Sequence, residues 1–264
     1  MEKIKILREK TGAGIVDCKL ALEEAGGDME KAVEILRKKG ITKAAKRSER
    51  ETNEGLIKLA VEDNAKGFIV EIDAETDFVV RNERFQELAE KILRLIKAKQ
   101  PINKEELMAL SFDQANIREE LNNLSGVIGE KLDVKRSDRL TSNGTVAGYI
   151  HAGGKIGVLV ALNKVGCSEL AYDMAMQIAA ANPKYISPEQ VPAEEIAKEK
   201  EIYTEQLVNE GKPKNIIEKI IQGKLNKFYE EICLVKQEYI KDETKHVSDI
   251  LGDVKVEKFI RYSL

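Results

Sequence analysis

Side chains able to do covalent or metal chemistry are few in this sequence and widely scattered. The histidines are His151 and His246, and neither belongs to a metal-ligating pair such as H-E-x-x-H. Cys18, Cys167 and Cys233 are odd in number, far apart and in no C-x-x-C pair, so neither a disulfide framework nor a zinc site is expected. The nucleophile elbow G-x-S-x-G and the phosphate loops G-x-x-x-x-G-K-[ST] and G-x-G-x-x-G are absent. Thr11-Gly12-Ala13-Gly14 is glycine-rich, but it joins two helical patterns and no strand precedes it. It reads as a helix–helix turn, not a phosphate cradle. Carboxylates are plentiful, but they lie mostly on helical patterns rich in Lys and Arg, where solvated faces explain them. No catalytic residue, metal site or cofactor is expected. What stands out is Glu75-Thr76-Asp77-Phe78-Val79, where a carboxylate and an aromatic ring sit side by side outside any regular pattern.

The elements that must position that segment follow from the change of hydrophobic period. Gly55–Val61 and Gly67–Ala74 alternate like paired strands, with Glu62–Lys66 as the turn. Phe85, Leu88, Ala89, Ile92 and Ile96 then fall on one face of a helix. Weaker helical patterns cover about 104–110 and 113–125. A second hairpin is expected from Gly144–Ile150 and Lys155–Val165, followed by a helix with Leu170, Met174, Ile178 and Ala181 on one face. The two hairpin-plus-helix units form an architectural repeat. From Gly67 to Leu88 is 21 residues and from Gly157 to Leu170 is 13, so the first unit carries eight extra residues around Thr76–Val79. A packed core does not require that excursion, and loops carry function more often than packed elements do.

Ahead of these units, residues 1–40 read as three short helices. The first is marked by Ile4 and Leu7 and the second by the run from Ile15 to Ala25. The third is capped by Asp28, carries Met29, Ala32, Val33 and Leu36, and stops at Gly40. Residues 41–54, with Lys43, Lys46, Arg47 and Arg50, read as a solvated basic linker. Residues 183–240 read as a helical excursion. Ser187-Pro188-Glu189-Gln190 resembles a capping box there. A charged helix from about Ala193 to Asn209 turns at Gly211-Lys212-Pro213 into a second helix with Ile217, Ile221, Leu225, Phe228 and Ile232 on one side. Val254–Tyr262 is a closing strand. The fold class expected is α+β, with a core subdomain at 55–140 and a second at 141–182 and 241–264.

Composition bounds the partners. Of 264 residues, 42% are apolar and 34% charged, enough for a buried core and more than one domain. The net charge of −3 gives no push towards a nucleic-acid backbone, where affinity comes from neutralised phosphates. No apolar run approaches the length of a membrane span, and the charged start Met1-Glu2-Lys3-Ile4-Lys5 is unlike a signal peptide. The cysteine usage suits a reducing cytoplasm.

Several stretches resemble the elongation factor Ts family. They are Thr11-Gly12-Ala13-Gly14-Ile15-Val16-Asp17-Cys18-Lys19 with its continuation Ala21–Asp28, and Glu75-Thr76-Asp77-Phe78-Val79 after a strand. His151 ahead of Gly157-Val158-Leu159-Val160, Gly211-Lys212-Pro213 and Phe259-Ile260-Arg261 also match. The resemblance covers nearly the whole chain. It implies a guanine nucleotide exchange factor that performs no bond chemistry itself and binds elongation factor Tu in its GDP-bound and nucleotide-free states. It further implies that Thr76, Asp77, Phe78 and Val79 enter the GTPase near its magnesium and phosphates. Ile15, Val16 and Lys19 would contact a helix of the GTPase from an N-domain of ubiquitin-associated type. Ile128, Gly129, His151 and Ile240 match further interface positions. Some family members continue beyond the last strand into an extra helical module, so a contact made by such a module is expected to be missing after Leu264. The excursion at 183–240 corresponds to a pairing module, which leaves a homodimer or a factor–GTPase heterotetramer open beside simple self-packing. From the residues alone, a helical adaptor and an RNA-binding translation protein compete with this reading.

Overall fold

The computed structural model describes residues 2–45, 47, 49–112 and 115–264; the side chains of residues 41, 43–45, 152 and 214 are not among those described. Three helices come first: α1 (Glu2–Thr11), α2 (Ile15–Glu24) and α3 (Met29–Ala45). Leu7, Cys18, Ala21, Leu22 and Ala32 close a small core between them. Gly12, at φ +73°, turns α1 into α2. The Asp28 carboxylate accepts from the backbone N–H of Glu30 at 2.9 Å and of Lys31 at 3.1 Å, the N-cap expected of it. The Lys31 bond leads in holding its carboxyl below the usual range.

The expected stop at Gly40 is overturned: α3 runs on to Ala45. Gly40 lies where α3 crosses α7 (Ile117–Ile128), and a Cβ on Gly126 of α7 would sit 2.8 Å from the Gly40 Cα. The close approach needs Gly126, at a helix-propensity cost of about 1 kcal/mol, while a Cβ on Gly40 would meet only the Asn122 carbonyl at 3.9 Å. The stretch read as a solvated linker is also tied down. Arg47 Nη1 donates to the Ser125 carbonyl at 3.1 Å, and Arg50 pairs with Glu75 at 3.2 Å. Lys46 lies outside the described residues.

The first unit is β1 (Glu54–Glu62), β2 (Lys66–Ala74), the single helical turn α4 (Asp77–Val80) and α5 (Glu83–Lys99). The hairpin pairs Glu54 with Ala74 through to Glu62 with Lys66, and Asp63 and Asn64 take the left-handed conformation at the turn. Then follow α6 (Lys104–Ala109), the short strands β3 (Ser111–Phe112) and β4 (Ala115–Asn116), α7, and β5 (Leu132–Thr141). The strand β5 pairs antiparallel with β2 and was not expected. Its outward residues Lys135, Arg136, Asp138 and Arg139 mask the strand pattern, as suits a sheet edge. A bulge opposite Glu71 and Ile72 brings both Lys135 and Arg136 to the buried Glu71, at 2.9 and 2.6 Å.

The second unit is β6 (Thr145–His151), β7 (Ile156–Leu162) and α8 (Ser168–Ala181). The excursion follows as α9 (Ala193–Asn209) and α10 (Lys214–Ile232), then β8 (Glu238–Tyr239), β9 (Asp242–His246), α11 (Val247–Leu251) and β10 (Val256–Ser263), which pairs with β7. Residues 187–190 form a 3₁₀ turn without a side-chain cap from Ser187, and α9 starts only after Pro192. The core of the molecule is layered. Phe68, Val70, Ile72 and Ala74 on one face of β1-β2-β5 meet Phe85, Leu88, Ile92 and Ile96 of α5. Ile57 and Ile69 on the other face meet Val146, Leu159, Ala161 and Tyr262 of β10-β7-β6. The far face of that second sheet packs on Ala171, Met174, Ala175 and Ile178 of α8. Helix, sheet, sheet and helix therefore stack in order, an α+β fold.

The excursion around Thr76 is shorter than expected. Residues 75–82 separate β2 from α5 and residues 163–167 separate β7 from α8. Part of the difference in spacing belongs to β2, which has nine residues against seven in β7.

Candidate partner interface

The turn after β2 is anchored from below and open above. Val79 and Val80 are buried in the core with Phe85 and Leu88. One helical turn then points Phe78 the other way, and it is 81% exposed. Asp77 is partly exposed and pairs with Arg81 at 2.9 Å, so it is not consumed in capping the turn. The residue before the turn is fixed by a carboxylate from elsewhere in the chain. Glu130 Oε2 accepts from the Thr76 N–H at 3.0 Å and Glu130 Oε1 from the Thr76 hydroxyl at 2.7 Å. Glu75 accepts from the Lys131 N–H at 2.6 Å. The exposed ring thus stands on a base that burial and hydrogen bonds hold in place.

Ile128 and Gly129 lie immediately before Glu130. Ile128 is half-buried against the α5 core, and Gly129 ends α7 at φ +92° with open space where a side chain would be. In the N-domain, Ile15 and Val16 are 58% and 69% exposed, so the bundle core is not where they go. Cys18, Ala21 and Leu22 fill that core instead. Lys19 is exposed and near Glu23 at 3.8 Å. Leu20 and Ile6 are also exposed and were missed; Leu20 stands one turn after Val16, which is the pattern that could have found it.

His151 ends β6 and Ile240 lies between β8 and β9; Ile240 is tied to α8 directly and His151 through Tyr149. His151 is exposed at the end of β6, with its Nδ1 3.0 Å from the Tyr149 hydroxyl. Tyr149 meets Tyr172 of α8 edge to face at 5.6 Å. The exposed Ile240 donates its N–H to Gln177 Oε1 of α8 at 2.9 Å. Tyr239 beside it donates to Asp173 at 2.8 Å, and burial first, then that bond, pushes its phenol up to about 12. Glu130 thus brings Thr76–Val79 beside Ile128 and Gly129, Ile240 is tied directly to α8 and His151 through Tyr149, while Ile15, Val16 and Lys19 stand on α2 of the N-domain.

Other chemistry has little to work with among the described residues. Cys18 and Cys233 are buried and unpaired, burial pushes their thiols up, and no cluster of three His, Cys, Asp or Glu is placed to hold a metal. No described helix is long and apolar enough to cross a membrane.

A family model described as elongation factor Ts matches residues 75–264, which span Thr76, Phe78, Glu130, His151 and Ile240. The chain is similar over 99% of its length to elongation factor Ts of a Nitratiruptor species, at 46% identity and covering 92% of that protein. It is 44% identical to elongation factor Ts of Clostridioides difficile (strain 630), covering 100% of this chain and 91% of the relative. For elongation factor Ts of Chlorobaculum tepidum the identity is 43%, with 99% and 96% covered. These matches reach from end to end of the fold just described, and on them the chain belongs to the elongation factor Ts family.

Proposed function

We propose that this chain is a guanine nucleotide exchange factor for elongation factor Tu in translation, acting in the cytoplasm. The observation that carries the mechanism is Phe78, 81% exposed on a turn whose base is buried and hydrogen-bonded. Thr76–Val79 enters the GTPase beside its magnesium and phosphates, with Phe78 as the wedge and Asp77 as the charge beside it. Switch elements of GTPases are ordered by contacts to phosphate and magnesium, so a wedge that displaces one of them loosens the nucleotide. Ile15, Val16 and Lys19 of the N-domain, together with Ile128 and Gly129, hold the GTPase on one side. His151 and Ile240 hold it on the other.

Exchange needs no bond to be made or broken by the factor. It binds the nucleotide-free GTPase more tightly than the GDP-bound form, and linkage requires bound factor to weaken GDP by the same ratio. Each 1.4 kcal/mol of that difference is about ten-fold in GDP affinity. GTP then enters and the factor leaves. Residues 1–40, the segment that follows, the two core subdomains and the excursion at 183–240 each contribute their own surface in this scheme. The excursion pairs two copies of the factor through the exposed Ile202, Val208 and Ile216.

Gel filtration of elongation factor Tu loaded with radiolabelled GDP tests the reading. Added factor should yield a protein complex stripped of label. A complex that retains stoichiometric GDP, or no complex at all, would refute it.

A further inference from the structure

The end of α7 and the turn after it touch both α3, which packs on α2 in the N-domain, and the base of the Thr76–Val79 turn. On one side Gly126 meets Gly40 of α3, and the Ser125 carbonyl accepts from Arg47 at 3.1 Å. On the other side Glu130 takes both donors of Thr76, and Lys131 spans Glu75 through its N–H and the Arg50 carbonyl through its Nζ at 2.8 Å. The two sides are joined within the turn, because the Ser125 hydroxyl donates to the Glu130 carbonyl at 2.5 Å and the Gly129 N–H to the Ser125 carbonyl at 2.8 Å. Arg37 of α3 and Glu119 of α7 add an ion pair at 3.7 Å.

We propose that residues 125–131 are a bracket that sets the N-domain's exposed face and the Phe78 wedge in one fixed relation, with Gly126 and Glu130 as positioning residues. The inference rests on the exchange reading for its consequence, though not for its geometry. Glu130 is bonded through its carboxylate to Thr76, not to Phe78 or Asp77, and acts through Thr76. Its acceptor pair matches the two donors that Thr76 presents, the N–H and the hydroxyl. A glutamine keeps the match, since its carbonyl accepts from the N–H and its amide donates to a rotated hydroxyl. Gly126 is required for a different reason: any side chain there pushes α3, and the N-domain with it, off α7.

The two arms fail differently. Loss of Glu130 leaves the factor able to bind while its wedge is loosely aimed, and positioning of this kind affects turnover. Loss of the Gly126 contact leaves the N-domain tethered but wandering, which lowers its effective concentration at the partner and weakens binding.

Steady-state release of labelled GDP from elongation factor Tu separates them, combined with spin-label distances between Glu30→Cys in α3 and Arg94→Cys in α5 in a Cys167→Ser background. Glu130→Ala should lower kcat by about ten-fold with little change in KM, and never below the kcat of Phe78→Ala. Glu130→Gln should restore it, and Glu130→Ala combined with Phe78→Ala should be no slower than Phe78→Ala alone. Gly126→Leu should raise KM by roughly ten-fold at similar kcat and broaden the distance distribution. Gly126→Ala, the milder change, should move both in the same direction by less. A wild-type kcat in Glu130→Ala, equal loss in Glu130→Gln, additive loss in the double variant, or an unchanged narrow distance in Gly126→Leu would each overturn the bracket. If the wild-type chain itself released no GDP, the exchange reading would fall, while the distances would still decide whether Gly126 seats the N-domain.

Discussion

Gly40 and Gly126 meet backbone to backbone but are not equivalent: a Cβ on Gly126 would lie 2.8 Å from Gly40, whereas a Cβ on Gly40 would reach only the Asn122 carbonyl at 3.9 Å. Both sit inside helices, where alanine is the better residue. Gly40→Ala should therefore stabilise the chain by about 0.5–1 kcal/mol, because it removes backbone freedom from the unfolded state without a clash. Gly126→Ala should destabilise it by roughly 1–3 kcal/mol, because overpacking outweighs the same gain. Urea denaturation of the two variants checks this. Shifts of the same sign would contradict the crossing geometry.

Asp73 supplies a pH prediction. It is 4% exposed on β2, and its carboxyl is pushed up to about 6, first by burial and then by the neighbouring Glu71, against the pull of Lys135. Between about pH 4 and pH 6 the folded state holds a proton that the unfolded state has released. The Asp73 contribution is thus fully present below the unfolded value and is lost as pH rises through the folded one. The shift corresponds to something on the order of 2–3 kcal/mol. Asp73→Asn cannot titrate, so its stability relative to wild type should climb from pH 4 to pH 6 and then level off. A difference that is flat across that window would show that Asp73 is ionised throughout.

The helical excursion predicts association. Leu207, Leu225, Phe228 and Ile232 are buried, the last two in a cluster with Val191 and Cys233 at the base of the helices, while Ile202, Val208 and Ile216 stay exposed on the same pair of helices. Scattered exposed apolar residues are ordinary, but three on one narrow stalk favour a second copy. Sedimentation over a concentration series should show a dimer that Val208→Lys with Ile216→Lys converts to monomer. A wild-type monomer at high concentration, with and without elongation factor Tu, would leave the stalk self-packed and remove the dimer.

Sequence patterning alone located the elements whose apolar period is strong. The α5 face of Phe85, Leu88, Ala89, Ile92 and Ile96 is buried throughout. On α8 the period was right and the face slightly rotated: Met174 and Ile178 are buried, but Ala171, Ala175 and Ala179 complete the face while Leu170 is only half-buried. Alanine carries too weak an apolar signal to set a face by itself. The strand β5 was hidden by its edge charges, and the short pair β8 and β9 by its length. Gly40 misled because a glycine that ends a helix and one that a helix runs through look alike without the neighbouring helix α7. Phe78 was legible as a residue out of pattern. Its support from Glu130, 54 residues away, was not, since nothing local ties a carboxylate in one turn to a threonine in another.

The central claim is tested most directly by stopped-flow release of fluorescently labelled GDP from elongation factor Tu, with wild-type factor and with Phe78→Ala. Wild type should accelerate release in a saturable way. Phe78→Ala should reach saturation at a similar concentration, because one side chain is a small part of a broad interface, but with a plateau at least about ten-fold lower, since the wedge acts in the displaced state rather than in binding. Asp77→Ala should fall in the same direction. Wild-type plateaus in both variants would contradict insertion of the Thr76–Val79 turn, and no acceleration by wild type would contradict exchange altogether.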